Sequence, residues 1–274
     1  MSVILGVDVG GSTTKIVALN EKGEICGFLQ VRAGDQLTSL FGAVGNLLYS
    51  LGLSLRDVQK IVLTGVGAAR VDRDLYGIPT QKVAEFEAIG RGGLLLSGEE
   101  EALVVSMGTG TAFVRAAKDG SALHVGGSAI GGGTLMGLAY TLLEVRDIEA
   151  ILNLASQGNL AHVDLTIRDI TCGEIPSLPP DVTAANFGSV KSTATKGDLA
   201  LGLINMVFQN AGVLAAFACR SCEMHTVVAT GTLATLPQAG GILDAVGKLY
   251  DLRFIVPRNA AFATALGAAA LASK

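Results

Sequence analysis

The chain has 274 residues, of which 50% are hydrophobic, and its formal net charge is -4. This length accommodates one large α/β domain or two lobes of ordinary size, with enough apolar side chains for a substantial core. The slightly acidic balance and the lack of a long Lys/Arg run exclude the electrostatic surface that binds DNA or RNA, so we expect no nucleic-acid partner.

The sequence shows no pattern typical of a secreted or membrane protein. Its first residues carry no positively charged segment and lead straight into a strand-like stretch, unlike a signal peptide. The apolar stretch 260–272 is shorter than the roughly 18 residues that a membrane-spanning helix needs. We therefore expect a cytoplasmic protein without membrane contact.

The four cysteines are too few and too scattered for a disulfide framework in a chain of this size. Cys219 and Cys222 form a C-x-x-C pair. No second pair and no thioredoxin-like context accompanies them. We interpret them as two reduced cysteines on a helix, and the alternative is a metal or redox site.

Strands alternate with helices along the first part of the chain. Continuous apolar runs predict strands, and the turn NEKGE (20–24) separates two of them. Apolar residues at spacings of 3, 4 and 7 predict an amphipathic helix that ends near Gly52. The predicted elements are strands at 3–9, 15–20, 25–31 and 60–64, and helices at 37–51 and 85–96.

An internal repeat is the most informative large-scale feature. The segment VDVGGSTTKIVALNEKG (7–23) resembles VSMGTGTAFVRAAKDG (105–120), with one residue fewer in the second copy. Each reads as a β-hairpin with a tip rich in Gly and hydroxyl side chains. The repeat predicts two related lobes, residues 1–101 and 102–274, whose two tips face each other across a cleft.

The second part continues the alternation, without a low-complexity linker between the lobes. We therefore expect packed lobes with a hinge. The predicted elements are helices at 134–145, 198–222, 236–250 and 260–272, and strands at 225–229 and 253–256.

The stretch DVGGSTTK (8–15) suits a polyphosphate. Glycines let backbone N–H groups approach a ligand closely, three hydroxyls add donors, and Lys15 adds a cation. Asp8 would hold Mg²⁺ or its water shell beside a phosphate. The alternative is an ordinary Gly-rich hairpin with solvated hydroxyls, because the stretch matches neither the Walker A motif nor the dinucleotide fingerprint.

Further Gly-hydroxyl turns strengthen the phosphate interpretation. GTGT (108–111) is the second hairpin tip, GGG (131–133) opens a predicted helix, and Gly231-Thr232 follows a predicted strand. A Gly-rich turn at a helix start offers free N–H groups and the positive end of the helix dipole to an anion. The two hairpin tips and GGG are three such turns in one chain, and three are hard to explain as hairpins alone.

These motifs resemble those of the superfamily of sugar kinases, heat-shock ATPases and actin, and within it the type II pantothenate kinases. The matching segments are GVDVGGSTTKIV, VAEFEA (83–88), VSMGTGT, VGGSAIGGGTLMGL (125–138), DVTAANFG (181–188) and NAAFATALGA (259–268). EFEA together with TAANFG is the most specific combination. The resemblance implies two ribonuclease H-like lobes of the actin-like ATPase fold with a nucleotide cleft between them.

The resemblance also implies an activity and a set of site residues. A homodimer would phosphorylate pantothenate with ATP and Mg²⁺, with pantetheine as a further acceptor and coenzyme A or its acyl form as regulator. Glu85 would be the general base and Asp8 the metal-binding residue. The implied nucleotide-binding residues are Asp8, Val9, Gly10, Gly11, Ser12, Thr13, Thr14, Lys15, Thr109, Gly131, Gly132, Gly133, Thr134, Leu135, Met136 and Thr232. The implied acceptor-binding residues are His124, Gly126, Thr183, Ala184 and Asn186.

One position departs from the family pattern. Where the family usually has an arginine just before VGG, this chain has His124. An arginine binds an anion in bidentate fashion at every pH, whereas a histidine near neutrality is mostly uncharged. We expect either an altered acceptor preference or compensation by Arg115. The alternative is that His124 merely packs on a strand.

Other functions remain open on the sequence alone. An N-acetylhexosamine kinase and a dehydratase-activating ATPase belong to the same superfamily, and the activators carry cysteines that ligate an iron–sulfur cluster. Cys219 and Cys222 lack the Gly-rich context of those cysteines. A non-catalytic module switched by ATP is a third alternative, which the presence of Glu85 disfavours.

Overall fold

The computed structural model describes residues 2–173, 175–176 and 178–272, which form an α/β structure around two five-stranded mixed sheets. The first sheet contains β1 (Val3–Val9), β2 (Thr13–Asn20), β3 (Ile25–Arg32), β4 (Val58–Thr64) and β5 (Thr80–Lys82). The second sheet begins with β6 (Glu101–Met107), β7 (Thr111–Ala117) and β8 (Ala122–Ser128). A separate short sheet holds β9 (Leu165–Thr166) and β10 (Thr183–Ala185), and β11 (Thr226–Thr230) and β12 (Arg253–Ile255) complete the second large sheet.

The two large sheets have the same topology, which confirms two related lobes. The first has the strand order β3-β2-β1-β4-β5 and the second β8-β7-β6-β11-β12. In each, three antiparallel strands are followed by two parallel ones. The first hairpin of each lobe ends in a Gly-hydroxyl tip, as the internal repeat predicts.

The helices cover both faces of the sheets. They are α1 (Gln36–Leu51), α2 (Glu85–Ser97), α3 (Gly132–Leu143), α4 (Ile148–Ala155), α5 (Ile167–Ile170), α6 (Lys196–Cys222), α7 (Ala239–Tyr250) and α8 (Ala263–Leu271). Helix α1 shows why the sequence predicted it well. The Asp35 side chain accepts a hydrogen bond from the backbone N–H of Thr38 at its start, and Gly52 ends it with a φ of 64°.

Helices α2 and α8 occupy equivalent positions, because α2 follows β5 in the first repeat and α8 follows β12 in the second. Helix α2 packs on the second sheet, although it belongs to the first repeat, and α8 packs on β1 and β2 of the first sheet. The two helices also pack extensively on each other. The division of the chain at residues 101 and 102 stays a prediction, with these helices packed across it.

Glycines permit the crossing of α2 and α8. A Cβ atom at Gly92 would lie well inside van der Waals contact with the carbonyl oxygen of Ala263, and one at Gly267 would do the same to the carbonyl oxygen of Ala88. Gly6 on β1 likewise leaves room for the backbone of Ala265. The backbones therefore touch at positions where any side chain would separate them.

Helix α6 is the centre of the second lobe. By length and composition it is apolar enough to cross a membrane, but 61% of its most apolar window is buried inside the protein. Phe208 and other residues of α6 contribute to the core beneath β6, β7 and β11. Among the described residues, α6 is thus a longer apolar helix than the stretch 260–272, and it is a core helix.

Most predicted elements are confirmed within a few residues at each end. The stretch 260–272 divides into a 3₁₀ turn (Ala260–Phe262) and α8. Sequence reasoning did not predict β5, α4 or the β9–β10 pair. These elements have 3, 8, 2 and 3 residues, too few to show a hydrophobic period.

We expect Gly92→Ala to reduce the free energy of unfolding by about 1–3 kcal/mol, because the added methyl group overpacks the helix crossing. Gly45→Ala on α1 is the matched control, since a Cβ atom there meets nothing within 4 Å. The control should gain about 0.5–1 kcal/mol from helix propensity. Urea unfolding measures both. Equal effects of the two substitutions would contradict a close crossing.

Candidate active site

A cavity of about 1350 Å³ lies between the two lobes. The tips of both first hairpins line it, together with the starts of α2 and α3. The predicted site residues that line it are Asp8, Gly10, Gly11, Ser12, Thr13, Lys15, Glu85, Thr109, His124, Gly132, Gly133, Leu135, Met136 and Thr232. One continuous space therefore brings together most of the predicted nucleotide-binding residues and the predicted base.

The two hairpin tips contact each other across the cleft. The first tip is a tight turn in which the N–H of Gly10 donates to the carbonyl oxygen of Thr13 at 3.1 Å. The hydroxyls of Ser12 and Thr109 are 3.1 Å apart, so one tip is hydrogen-bonded to the other. The groups predicted to bind phosphate thus form a single wall of the cavity, with contributions from both lobes.

The start of α3 differs from the expectation of free N–H groups. The N–H of Gly132 donates to the carbonyl oxygen of Gly108 at 2.8 Å, and that of Gly133 donates to the carbonyl oxygen of Thr109 at 2.9 Å. A Cβ atom at Gly131 would lie 2.7 Å from that same Thr109 oxygen. The glycines therefore hold the second tip against the start of α3. An anion bound at the start of α3 would interact with the helix dipole and with the hydroxyls of the tips, because these two N–H groups already have acceptors.

Asp8 and Lys15 form a buried charged pair at the floor of the cavity. They are direct partners in the β1–β2 ladder, and the Lys15 ammonium lies 3.8 Å from Oδ2 of Asp8. Their exposed fractions are 9% for Asp8 and 7% for Lys15. Burial raises the pKa of the Asp8 carboxyl, and the charge of Lys15 opposes that rise. The 3.8 Å distance between the ammonium and the carboxylate is long for a hydrogen bond, so the carboxylate can still bind a further partner.

The donor set at Asp8 fits a hydrated cation. No group of three or more His, Cys, Asp or Glu residues that could enclose a metal occurs among the described residues. Mg²⁺ is commonly held by one or two carboxylates, waters and substrate phosphates rather than by a cage of protein ligands. Asp8 would hold such an ion, and the hydroxyls of the tips would complete its surroundings through water.

Glu85 is the first residue of α2 and faces the same cavity. Partial burial in the cleft raises the pKa of its carboxyl, the negative charge of Asp8 raises it further, and Lys15 lowers it. Glu87 does not line the cavity. The helix geometry thus separates the two acids, and of the two it is Glu85 whose carboxylate lines the cavity.

His124 on β8 stacks on Phe86, the residue after Glu85. The ring centroids are 3.9 Å apart and the planes differ by 6°. Both residues line the cavity, so His124 does more than pack on a strand. Arg115 does not line the cavity, because its guanidinium donates to Glu101 at 2.8 Å. The expected compensation for the missing arginine is therefore absent at this residue.

Eight of the predicted site residues do not line the cavity. Val9, Thr14, Gly126, Gly131 and Thr134 are close in sequence to lining residues but are not part of the wall. Thr183, Ala184 and Asn186 also do not line the cavity within this chain. Their role in acceptor binding stays a prediction.

A buried carboxylate fixes the segment that contains those three residues. Asp164 is 1% exposed and accepts hydrogen bonds from the Asn205 side chain at 2.8 Å and from the N–H of Phe187 at 2.9 Å. Weaker bonds of 3.4 Å come from Thr183 and Asn186. Because Asn205 belongs to α6 and Phe187 belongs to the segment, their shared acceptor Asp164 ties the segment to α6.

Sequence reasoning missed several wall residues. Phe86 lay inside the EFEA motif, but its stacking needs β8 beside it. Arg146, between α3 and α4, also lines the cavity, with its guanidinium 3.7 Å from the centre of the Tyr140 ring. Arg32 lines it as well and approaches Asp147 of the other lobe at 3.9 Å. No sequence motif marks these arginines.

Comparison with known proteins assigns the chain to two families. The model of the BadF/BadG/BcrA/BcrD ATPase family matches residues 5–158, and the model named Fumble matches residues 100–238. Each covers at least half of the chain. The chain belongs to both families. Membership in an ATPase family agrees with a cleft whose wall consists of Gly-hydroxyl turns.

Curated relatives extend over nearly the whole chain. A type II pantothenate kinase of Staphylococcus haemolyticus (strain JCSC1435) is 29% identical over 278 residues, covering 96% of this chain and 98% of that protein. The type II pantothenate kinase of Staphylococcus aureus (strain USA300) is also 29% identical, covering 96% and 97%. The resemblance to type II pantothenate kinases is thus confirmed.

Solved structures confirm the actin-like ATPase fold with two lobes. The activator of the 2-hydroxyisocaproyl-CoA dehydratase from Clostridium difficile, with bound ADPNP, has a TM-score of 0.72 and 19% identity, covering 99% of this chain and 94% of that one. A ROK hexokinase from Thermus thermophilus has a TM-score of 0.58 and 16% identity, covering 98% and 97%. At these identities the likeness concerns the fold alone.

The C-x-x-C pair lies in the last turn of α6, with Cys222 as its final residue. Cys219 is fully buried in the core around α6, and burial raises the pKa of its thiol to about 11. Both thiols are free. A buried thiol with a raised pKa is a poor metal ligand or nucleophile, which supports the interpretation as two reduced helix cysteines.

We expect Asp164→Ala to destabilise the protein by at least about 2 kcal/mol, because it leaves the buried Asn205 amide and the part-buried N–H of Phe187 without this acceptor, each at a cost of about 1–3 kcal/mol. Asp169→Ala is the control, since that exposed carboxylate accepts from Thr166 at a short helix start. Its loss should cost only about 1 kcal/mol. Thermal and urea unfolding of both variants measure the difference, and an equal loss would contradict the central role of Asp164.

Proposed function

We propose that the protein transfers the γ-phosphoryl group of ATP to pantothenate, giving 4′-phosphopantothenate, the first step of coenzyme A biosynthesis. The single observation that carries this proposal is Glu85 facing the Asp8–Lys15 pair across a cavity lined by the Gly-hydroxyl tips of both lobes. The names of the full-length relatives support the choice of acceptor. Fold neighbours that include a kinase and an ADPNP-bound protein support the choice of nucleotide.

The nucleotide would lie along the wall that the two tips form. Ser12, Thr13 and Thr109 offer hydroxyl donors to the phosphates, and Lys15 offers a positive charge. Thr232, which lines the same cavity beside Leu233, would lie near the nucleoside. A magnesium ion held at Asp8 would supply charge neutralisation for the β- and γ-phosphates.

The acceptor would place its primary hydroxyl between Glu85 and the γ-phosphate. The hydroxyl oxygen forms a bond to phosphorus, the bond from phosphorus to the β–γ bridging oxygen breaks, and ADP leaves. Glu85 accepts the hydroxyl proton as this happens. Lys15 and the tip hydroxyls stabilise the charge that spreads over the transferred group.

Further parts of the proposal rest on the sequence motifs and the family resemblance rather than on the cavity. We propose that the protein works in the cytoplasm as a homodimer whose lobes are residues 1–101 and 102–274. We also propose pantetheine as a second acceptor, with coenzyme A or acyl-coenzyme A as regulator. Gly126, Thr183, Ala184 and Asn186 are proposed as acceptor-binding residues. None of these statements is needed for the phosphoryl transfer at Glu85.

The acceptor is tested by coupled ADP release with pantothenate, pantetheine and N-acetylglucosamine side by side. We expect pantothenate to raise ADP release well above the rate without acceptor, and N-acetylglucosamine to have no effect. A better rate with the hexosamine would replace pantothenate kinase by hexosamine kinase. A brown purified protein with an iron–sulfur spectrum would favour a dehydratase activator.

We expect Glu85→Gln to lower kcat by about 10² to 10⁴-fold, the usual contribution of a general base. Nucleotide affinity and Tm should barely change, because glutamine keeps the size of the side chain. Glu87→Gln is the matched control and should keep its turnover, since Glu87 does not line the cavity. An inactive Glu87→Gln beside an active Glu85→Gln would show that the wrong carboxylate is assigned.

The same assignment predicts a pH dependence. The base must be ionised, and the pKa of Glu85 is raised by burial and by Asp8. The rate with saturating ATP should therefore fall, as the pH is lowered, at a higher pH than for an ordinary glutamate. Glu85→Gln should lose this acid limb. If the rate of the wild-type enzyme instead fell at the pH expected for an ordinary glutamate, that result would contradict the raised pKa of Glu85.

We expect His124→Arg to lower KM for pantothenate by about tenfold, the effect of one charge-assisted hydrogen bond to its carboxylate. KM for pantetheine, which lacks that carboxylate, should not fall. Steady-state kinetics with both acceptors measure the contrast. Equal changes for both acceptors would show that His124 acts through packing on Phe86 rather than through acceptor charge.

A further inference from the structure

Thr64 is a buried polar residue that has no role in the phosphoryl transfer proposed above. It ends β4, is 1% exposed, and its hydroxyl has no hydrogen-bond partner among the described residues. Buried hydroxyls are nearly always hydrogen-bonded, because an unpaired one loses its water without compensation. A valine would fill the same space without that loss.

The strand register puts Thr64 next to Asp8. Asp8 pairs with Lys15 on one side in the antiparallel β1–β2 ladder and with Thr64 on the other side in the parallel β1–β4 ladder. Residues directly paired across neighbouring strands point to the same face of a sheet. Lys15, Asp8 and Thr64 therefore form a row across three strands, with the carboxylate in the middle.

The two oxygens of Asp8 face the two ends of this row. Oδ2 lies 3.8 Å from the Lys15 ammonium. Oδ1 lies at the end of β4, because a Cβ atom built on Gly65, the residue after Thr64, would be 2.6 Å from it. Gly65 has a φ of +85°, so the chain turns over the carboxylate at this point. A rotation of the Thr64 side chain would direct its hydroxyl toward Oδ1.

Nucleotide binding would change which groups contact the Asp8 carboxylate. A phosphate in the cavity would compete with Asp8 for the Lys15 ammonium, so that the bound cation, and no longer Lys15, compensates the charge of the buried carboxylate. A hydroxyl beside Oδ1 would give the carboxylate a second donor once Lys15 has turned to the phosphate, and would keep it in one orientation. The hydroxyl that is unpaired in the nucleotide-free protein would thus gain a partner in the loaded one.

We propose that Thr64 is a positioning residue, whose hydroxyl donates to Asp8 when nucleotide phosphates draw Lys15 away and so holds the carboxylate toward the bound cation. This inference rests on the nucleotide site of the proposed function. It does not depend on which acceptor is phosphorylated. Thr64 touches neither nucleotide nor acceptor in this scheme.

The test compares Thr64→Val, which removes the hydroxyl but keeps the shape, with Thr64→Ser, which keeps the hydroxyl. Calorimetry with Mg²⁺ and a non-hydrolysable ATP analogue gives Kd, and thermal unfolding without nucleotide gives Tm. For Thr64→Val we expect Kd to rise by about tenfold, the effect of one hydrogen bond to a charged group, and Tm to equal or exceed that of the wild type. Thr64→Ser should restore Kd.

Thr80→Val on β5 is the matched control. The Thr80 hydroxyl accepts from the N–H of Leu75 at 3.0 Å and donates to the carbonyl oxygen of Ile78 at 2.9 Å. Because this hydroxyl is bonded in the nucleotide-free protein, its loss should lower Tm and leave Kd unchanged. Thr64→Val is thus expected to change Kd without lowering Tm, and Thr80→Val to lower Tm without changing Kd.

The outcomes separate this inference from the proposed function. Wild-type protein that does not bind the Mg²⁺-nucleotide overturns both. Normal wild-type binding with an unchanged Kd in Thr64→Val, or with a raised Kd that serine does not restore, overturns the role of Thr64 alone. A raised Kd in Thr64→Val that serine restores supports it, whatever acceptor the enzyme uses.

Discussion

Helices α2 and α8 cross so closely that a methyl group at Gly92 or Gly267 would meet the backbone of the other helix. Each helix belongs to one repeat of the chain, packs on the sheet of the other repeat, and also packs against the other helix. This crossing joins the two lobes into one structure. Helix α2, which makes this crossing, begins at Glu85.

The chemistry of the cleft follows from that placement. Strand β1 brings Asp8 to the floor of the cavity, the β1–β2 ladder sets Lys15 opposite it, and α2 brings Glu85 near enough to Asp8 for its charge to raise the pKa of Glu85. Two carboxylates and one ammonium in a partly buried space interact more strongly than they would in water. A cation bound together with a phosphate would relieve both the buried charge of Asp8 and the repulsion between the acids.

Much of this structure could be predicted from the sequence, because the signals are local. The strand of residues 3–9 is a continuous apolar run, α1 has a strict helical period between Asp35 and Gly52, and the repeated hairpins have Gly-hydroxyl tips. Glu85 was identified from the family likeness of EFEA, and the helix geometry explains why it faces the cavity when Glu87 does not. Short elements such as β9 and β10 have too few residues for a period to appear.

The sequence by itself determined the two repeats, their strands and main helices, and the residue types that can bind phosphate and accept a proton. Only the tertiary structure decided which of these groups meet. It paired Gly132 and Gly133 with the second tip instead of leaving their N–H groups free, and it directed Arg115 to Glu101. It also stacked His124 on Phe86 and tied the segment around Asn186 to Asp164. The physical reason is that propensity and periodicity are properties of neighbours in the chain, whereas these contacts join residues that are distant in sequence and depend on how the sheets and helices pack.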